Sequence, residues 1–265
     1  MSQPSISVVC PIYNSAAYIE STLRSVLTQT LTPLELIVSD DGSHDRSCEI
    51  VEALFCSSKI QTTLLRNQHH GPGAARNAGI RAASGTWIAF LDSDDRWKPN
   101  KLEVVEQAIA SQPDKNFFCH NETHIGLDGT QRTLDYALHF LPGATLPAQL
   151  YRRCLFSTSA VVCRKDLLLA HGMFDENLMS SQDYELWLRL SPHLQVHFIP
   201  EVLGYYQDRA GNITSGNFHR RMMNLLRVHI RHLDKASPAI ALEAILRWLF
   251  NYGPRRLLRW AGYAR

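Results

Sequence analysis

This chain lacks any charge-free apolar stretch of about 18 residues, any C-x-x-C spacing, any internal repeat and any low-complexity segment. Each absence removes a class of protein. No helix is expected to span a membrane. The six cysteines (Cys10, Cys48, Cys56, Cys119, Cys154 and Cys163) are scattered, most of them inside apolar runs where a thiol packs as a small hydrophobe. That excludes a disulfide scaffold or a zinc ribbon and suits a reducing, cytoplasmic compartment. Met1-Ser2-Gln3-Pro4 leads straight into a strand-like run, so a secretory leader is not expected.

What is present fits one sizeable globular domain with an appendage: 265 residues, 45% hydrophobic and 20% charged. The net charge of +2 hides an asymmetry, because from Phe218 onward ten Lys/Arg face only Asp234 and Glu243, leaving 17 basic and 23 acidic residues before them. We therefore divide the chain into a body, 1–216, and a basic tail, 217–265.

The first half alternates two periods. Ile6 to Cys10, Leu34 to Val38, Ile60 to Leu65 and Trp87 to Leu91 are short runs rich in β-branched, aliphatic or aromatic residues, whereas Ala16–Gln29, Asp45–Phe55 and Ala74–Ala83 are helical in pattern. Such alternation predicts βαβ units and a mostly parallel central sheet flanked by helices. Beyond Pro99 the expected elements are a helix over Lys101–Ala110, strands at Phe117–Cys119 and Ser159–Cys163, a helix over Asp183–Leu190, and separate strands at Gln195–Ile199 and Leu203–Tyr206. The segment Gly126–Gly143 has no clear period. The tail reads as two amphipathic helices, broken at Ser237-Pro238 and ending at Gly253-Pro254.

Polar signals cluster where the strands should end, the edge at which open α/β sheets bind ligands. The densest is Asp92-Ser93-Asp94-Asp95. Three carboxylates in four residues repel one another unless a cation sits among them, and hard divalent ions bind through one or two carboxylates plus substrate phosphates. Pro11-Ile12-Tyr13-Asn14 ends the first strand, and Tyr13 is either a stacking face for a planar base or a packed turn residue. In Asp40-Asp41-Gly42-Ser43 a carboxylate can accept from a base or ribose hydroxyls, or Asp41 or Ser43 can cap the next helix. Gly71-Pro72-Gly73-Ala74-Ala75-Arg76 departs from the dinucleotide fingerprint, since Arg76 occupies the third glycine position. Arg76 contacts either a phosphate or a structural partner.

His120 and His124, spaced H-x-E-x-H, do not match the metalloprotease helix and read instead as two histidines on one strand face lining a cleft. His69-His70 reads as solvated loop. Asp183 opens a helix as a cap, a dipole-complementing charge or a catalytic carboxylate.

Six segments in order resemble the inverting glycosyltransferases of family 2, which have the GT-A fold. They are Val8 to Asn14, Asp40 to Asp45, Gly73 to Gly79, Phe90 to Asp95, Gly172 to Glu176 and Gln182 to Arg189. The likeness runs from Ile6 to about Thr214. It implies that Pro11, Tyr13, Asp40, Asp41, Arg76 and Asp92 bind the nucleotide of a UDP-sugar or dTDP-sugar. It further implies that Asp94 holds Mn²⁺ or Mg²⁺ under the diphosphate and that Asp183 is the general base toward a hydroxyl of a polysaccharide or lipid-linked glycan. Asp95 is expected to serve the following turn.

The chain departs from the family pattern twice. Gln182 stands where Glu often precedes the base, and Tyr206-Gln207-Asp208-Arg209 replaces Y-R-x-H, so Arg209 is expected at the diphosphate and the third metal ligand is open. A nucleotidyltransferase is the enzymatic alternative, although Pro11 to Ala17 contains neither Gly nor Lys. A nucleotide-sugar-binding protein without turnover is the other. No nucleic-acid partner is expected. The tail, with tryptophans and leucines among arginines, is expected either at the inner face of a membrane, on the body, or in a homodimer.

Overall fold

The computed structural model describes residues 5–140, 143–209 and 218–260, with side chains in the last segment described to Phe250. In chain order the elements are β1 (Ile6–Ile12), α1 (Ile19–Leu27), β2 (Glu35–Asp40), α2 (Ser47–Cys56), β3 (Gln61–Arg66), α3 (Pro72–Ala82), β4 (Trp87–Phe90), β5 (Arg96–Trp97) and α4 (Lys101–Ser111). There follow β6 (Phe117–Ile125), β7 (Gln131–Leu134), α5 (Leu146–Arg152), β8 (Val161–Arg164), α6 (Lys165–Ala170), α7 (Gln182–Leu190), β9 (Val196–Gln207), α8 (Phe218–Arg231) and α9 (Pro238–Trp260). The strands form one sheet in the order β3-β2-β1-β4-β8-β6-β9-β5, with β7 paired to β6.

Its first half is parallel, as the continuous apolar runs imply for strands covered on both faces. All seven residues of β1 are buried. β1 pairs with β2 on one side and β4 on the other, so the strand order reverses there and leaves a crevice at the carboxyl edge. The register Ile12↔Asp40 and Val9↔Phe90 brings the residues following β1, β2 and β4 to that one edge. Beyond β4 the sheet is mixed: β8 runs antiparallel to β4 and β6, while β6 and β9 are parallel.

Alternate side chains divide the core into two layers. Val9, Ile37, Ile88 and Phe90 face the layer that contains Trp187 of α7, and Val8, Cys10, Leu36, Val38 and Ala89 face the layer of α1, α2 and α4. α3 sits directly on β1, since a Cβ at Gly79 would come within 2.4 Å of Val9 Cγ1. That close approach holds the start of α3 beside the crevice.

Several elements differ from expectation. β9 is one bulged strand rather than two, because both stretches pair with β6 and the break at Pro200, which has no N–H to give, is absorbed as a register shift. β6 extends through the histidines to Ile125, β7 lies within the segment that has no clear sequence period, and α5 follows that segment. α9 starts at Pro238, as proline at the first helical position allows, but continues past Gly253-Pro254 to Trp260. One proline removes one intrahelical bond and need not end a helix.

Candidate active site

The loops after β1 and β2 hold each other. Asn14, with φ of 46°, donates its N–H to Ser43 Oγ at 2.9 Å and accepts the His44 N–H on its Oδ1 at 2.9 Å. Tyr13 is 40% exposed, and its ring stacks on His69 at 4.3 Å with an interplanar angle of 22°. One face of the ring is thus packed on His69, and the residue remains partly open at the cavity. Asp41 ties down the loop before α3 by accepting N–H groups from His70 at 2.8 Å and Gly71 at 2.9 Å, with His69 Nδ1 2.8 Å away.

Asp40 behaves differently. It is buried, accepts the Ser43 N–H at 3.1 Å and lies outside the lining of the crevice. Neither Asp41 nor Ser43 caps the next helix: Asp45 accepts both the N–H and the hydroxyl of Ser47, where α2 begins.

Arg76, one turn into α3, is only 5% exposed. Its Nη2 donates to Asp92 Oδ1 at 2.5 Å, and its guanidinium carbon lies 5.3 Å from the Phe174 ring centre. Nε and Nη1 are buried without a partner. Beside it, Asp183 opens α7 after Ser181, whose φ is 61°. Asp183 Oδ1 accepts the Tyr184 N–H at 2.8 Å. Burial lifts its pKa above the ordinary carboxylate value and the Asp92 charge adds to that, while the Tyr184 N–H and the Arg76 charge oppose it. The net effect is a carboxylate more basic than usual.

The acidic turn after β4 is braced from below. Asp92 N–H donates to Ser159 Oγ at 3.0 Å, Ser159 donates to Asp95 Oδ2 at 2.6 Å, and Asp95 Oδ1 accepts the Gln207 N–H at 3.1 Å. Asp95 therefore joins the turn to the end of β9. Asp94 is half-buried, with Arg209 Nε 2.6 Å from its Oδ2. That approach is off the N–H direction, so the contact is a charge pair and not an aligned hydrogen bond. Burial, followed by the Asp92 charge, raises the Asp94 pKa against the lowering effect of Arg209.

Pro11, Tyr13, Asp41, Arg76, Asp92, Asp94 and Arg209 line one cavity of about 560 Å³. Asp40 and Asp183 do not line it. Met179, Ser180, Tyr206 and the adjacent Arg220 and Arg221 of α8 complete much of its wall. Of these, the arginine pair was visible only as part of a basic tail, and His69 only as a loop residue. Their approach depends on chain crossings that no local pattern encodes.

The donor set suits a hard cation in kind, since carboxylate oxygens repel one another across the cavity wall. It is incomplete in number: among the described residues no three His, Cys, Asp or Glu side chains converge on a point. Phosphate oxygens of a ligand would have to complete the shell. His120 is no part of a cleft, for it is wholly buried, its Nδ1 lies 2.9 Å from the Asn121 carbonyl, and burial drives its pKa down to about 3. His124 instead faces Asp208 at 3.0 Å in a separate surface hollow.

The sequence model for Glycosyl transferase family 2 matches residues 7–169, more than half of the chain. An Escherichia coli relative named UDP-Glc:alpha-D-GlcNAc-diphosphoundecaprenol beta-1,3-glucosyltransferase WfaP is 26% identical over 95% of this chain and 98% of its own length. Uncharacterised glycosyltransferases of Rickettsia and Nostoc also match, and this chain spans only 33% to 40% of their length. Among solved structures, Staphylococcus aureus TarS in complex with UDP-GlcNAc superposes with a TM-score of 0.73 at 22% identity, covering 94% of this chain and 73% of that one. The Pyrobaculum calidifontis mannosyltransferase PcManGT, in complex with GDP-Man and Mn²⁺, gives 0.64 at 17% identity, covering 95% and 71%. At such identities the structural likeness speaks for the fold alone.

Proposed function

Because the chain belongs to glycosyl transferase family 2 and has its GT-A fold, we propose that it transfers a sugar, with inversion, from a UDP-sugar or dTDP-sugar to a hydroxyl of a polysaccharide or lipid-linked glycan. The observation that carries this reading is the single cavity in which an exposed aromatic ring, Tyr13, shares the wall with the carboxylates of Asp92 and Asp94 and with Arg76 and Arg209. An aromatic face suits a base, guanidinium groups suit a diphosphate, and the volume is within the range of small-molecule sites.

In this reading the base stacks on Tyr13, and Asp41, fixed by the loop at His69 to Gly71, meets the base or ribose edge. Pro11 supplies a wall there, and Asp92, held by Arg76 and Ser159, meets the ribose side. Asp40 acts on the nucleotide only indirectly, by shaping the turn that presents Asp41. Arg209 and Arg76 face the diphosphate.

Asp183 takes the proton from the acceptor oxygen as that oxygen bonds to the anomeric carbon and the bond to the diphosphate breaks on the opposite side. Its raised basicity suits that task. Asp94 would hold Mn²⁺ or Mg²⁺ jointly with the diphosphate, and a bound ion there supplies Lewis-acid stabilisation of the leaving group.

The test is a panel of nucleotide sugars with a hydroxyl acceptor or water, read by release of free nucleoside diphosphate. Release from one donor class is expected. No release from any donor, with nucleotide binding intact, would leave a binding protein without turnover. A second outcome, pyrophosphate release from a nucleoside triphosphate, would favour nucleotidyl transfer.

A further inference from the structure

α9 has two apolar faces, and among the described residues only one is covered. Ala244 is buried, and Ala241 and Ile240 pack on the main core. On the opposite side Leu242, Ile245, Leu246, Leu249 and Phe250 recur at helical spacing, with exposures of 57%, 37%, 43%, 50% and 75%. Scattered exposed leucines are ordinary, but five large apolar residues in one stripe are not. No helix among the described residues is long and apolar enough to cross a membrane, so the stripe is not part of a span.

Charge decides what covers it. Several cations of the tail are engaged elsewhere, Arg220 and Arg221 at the cavity and Arg231 with Asp175, but after Glu243 the sequence still carries five arginines and no acidic residue. A symmetric contact between two copies would set the same patch against itself and bring two strongly basic segments together. An anionic surface meets the same segment with opposite charge. We infer that α9 lies in the plane of an anionic phospholipid bilayer, its Leu242–Phe250 stripe among the acyl chains. The assignment does not depend on sugar transfer, and its test uses no donor.

Flotation of the full chain with phosphatidylcholine vesicles, with and without phosphatidylglycerol, reads it directly. Binding is expected only where phosphatidylglycerol is present, and it should weaken steeply with added salt. The exposed pair Leu246→Glu with Leu249→Glu should lower partitioning by roughly 100-fold or more, with unfolding temperature unchanged. Equal binding to both vesicle types, or unchanged binding of the double variant, would overturn the assignment. So would absence of binding combined with a dimer, measured by light scattering, that the same double variant dissolves; that result would give the stripe to a second copy.

Discussion

Arg209 Nε lies 2.6 Å from Asp94 Oδ2, at the wall of the cavity that holds Tyr13 and Asp92. A guanidinium thus already neutralises the carboxylate proposed above to hold a divalent ion. An ion entering there competes with Arg209, and Arg209, once displaced, is free to turn to a diphosphate. Arg209→Ala should therefore tighten Mn²⁺ binding in the absence of nucleotide by several-fold, on the order of 1 kcal/mol for a partly exposed pair, while weakening UDP binding. Titration calorimetry with each ligand checks both signs. Unchanged Mn²⁺ affinity would remove the competition.

Asp183→Asn is expected to lower kcat by about 10²- to 10⁴-fold, the usual range for one general base, while leaving donor affinity nearly intact. Burial and the Asp92 charge raise the carboxyl above its ordinary value, so activity should fall as pH drops through a point above the ordinary carboxylate range. The pH profile of kcat/KM tests this. An acid limb at or below the ordinary carboxylate range would count against Asp183 as the base.

Tyr13→Ala should weaken nucleotide binding by about 1–3 kcal/mol, the cost of losing one base-stacking face. His69→Ala should cost less, because His69 props the ring from behind at 4.3 Å without replacing it. Fluorescence titration with UDP ranks the two variants, and equal losses would assign the base contact elsewhere.

Glu122 is wholly buried and accepts the Tyr136 hydroxyl at 2.6 Å, while its other oxygen has no partner. Burial lifts its pKa from 4.5 to about 7. Between those values the unfolded chain gives up this proton before the folded one does, so rising pH costs stability. Glu122→Gln should remove that slope, with the gap over the parent growing from pH 4.5 to 7 toward at most about 3 kcal/mol. Urea unfolding at three pH values measures it; parallel curves would contradict the shift.

The parallel half of the fold was legible because its strands are covered on both faces and so read as unbroken apolar runs. The acidic edge was legible because those strands end together. Less legible was which of two adjacent carboxylates faces the cavity. Asp40 follows Leu36 and Val38 in strand parity and so falls on the α1 and α2 side, near Cys48, whereas Asp41 falls on the other. The alternation rule contained that distinction. No rule contained the contribution of Arg220 and Arg221, which reach the cavity from more than 120 residues beyond Asp94 in sequence. Nor could sequence tell a buried His120 from a cleft-lining one, since both lie on the same strand.

Glu185, two residues beyond Asp183 on α7, is 2% exposed in its side chain, with His232 at 3.1 Å, Arg189 at 2.9 Å and Arg231 at 3.7 Å. Although burial works against it, hydrogen bonds from His232 and Arg189 bring its pKa down to about 2. The helix that carries the proposed base is thus bolted to the segment after residue 217. Shortening the protein to 1–216 would leave Glu185 without two of its partners, Arg231 and His232, and strip two arginines from the cavity wall. A fragment meant to keep the proposed activity is therefore expected to need the tail.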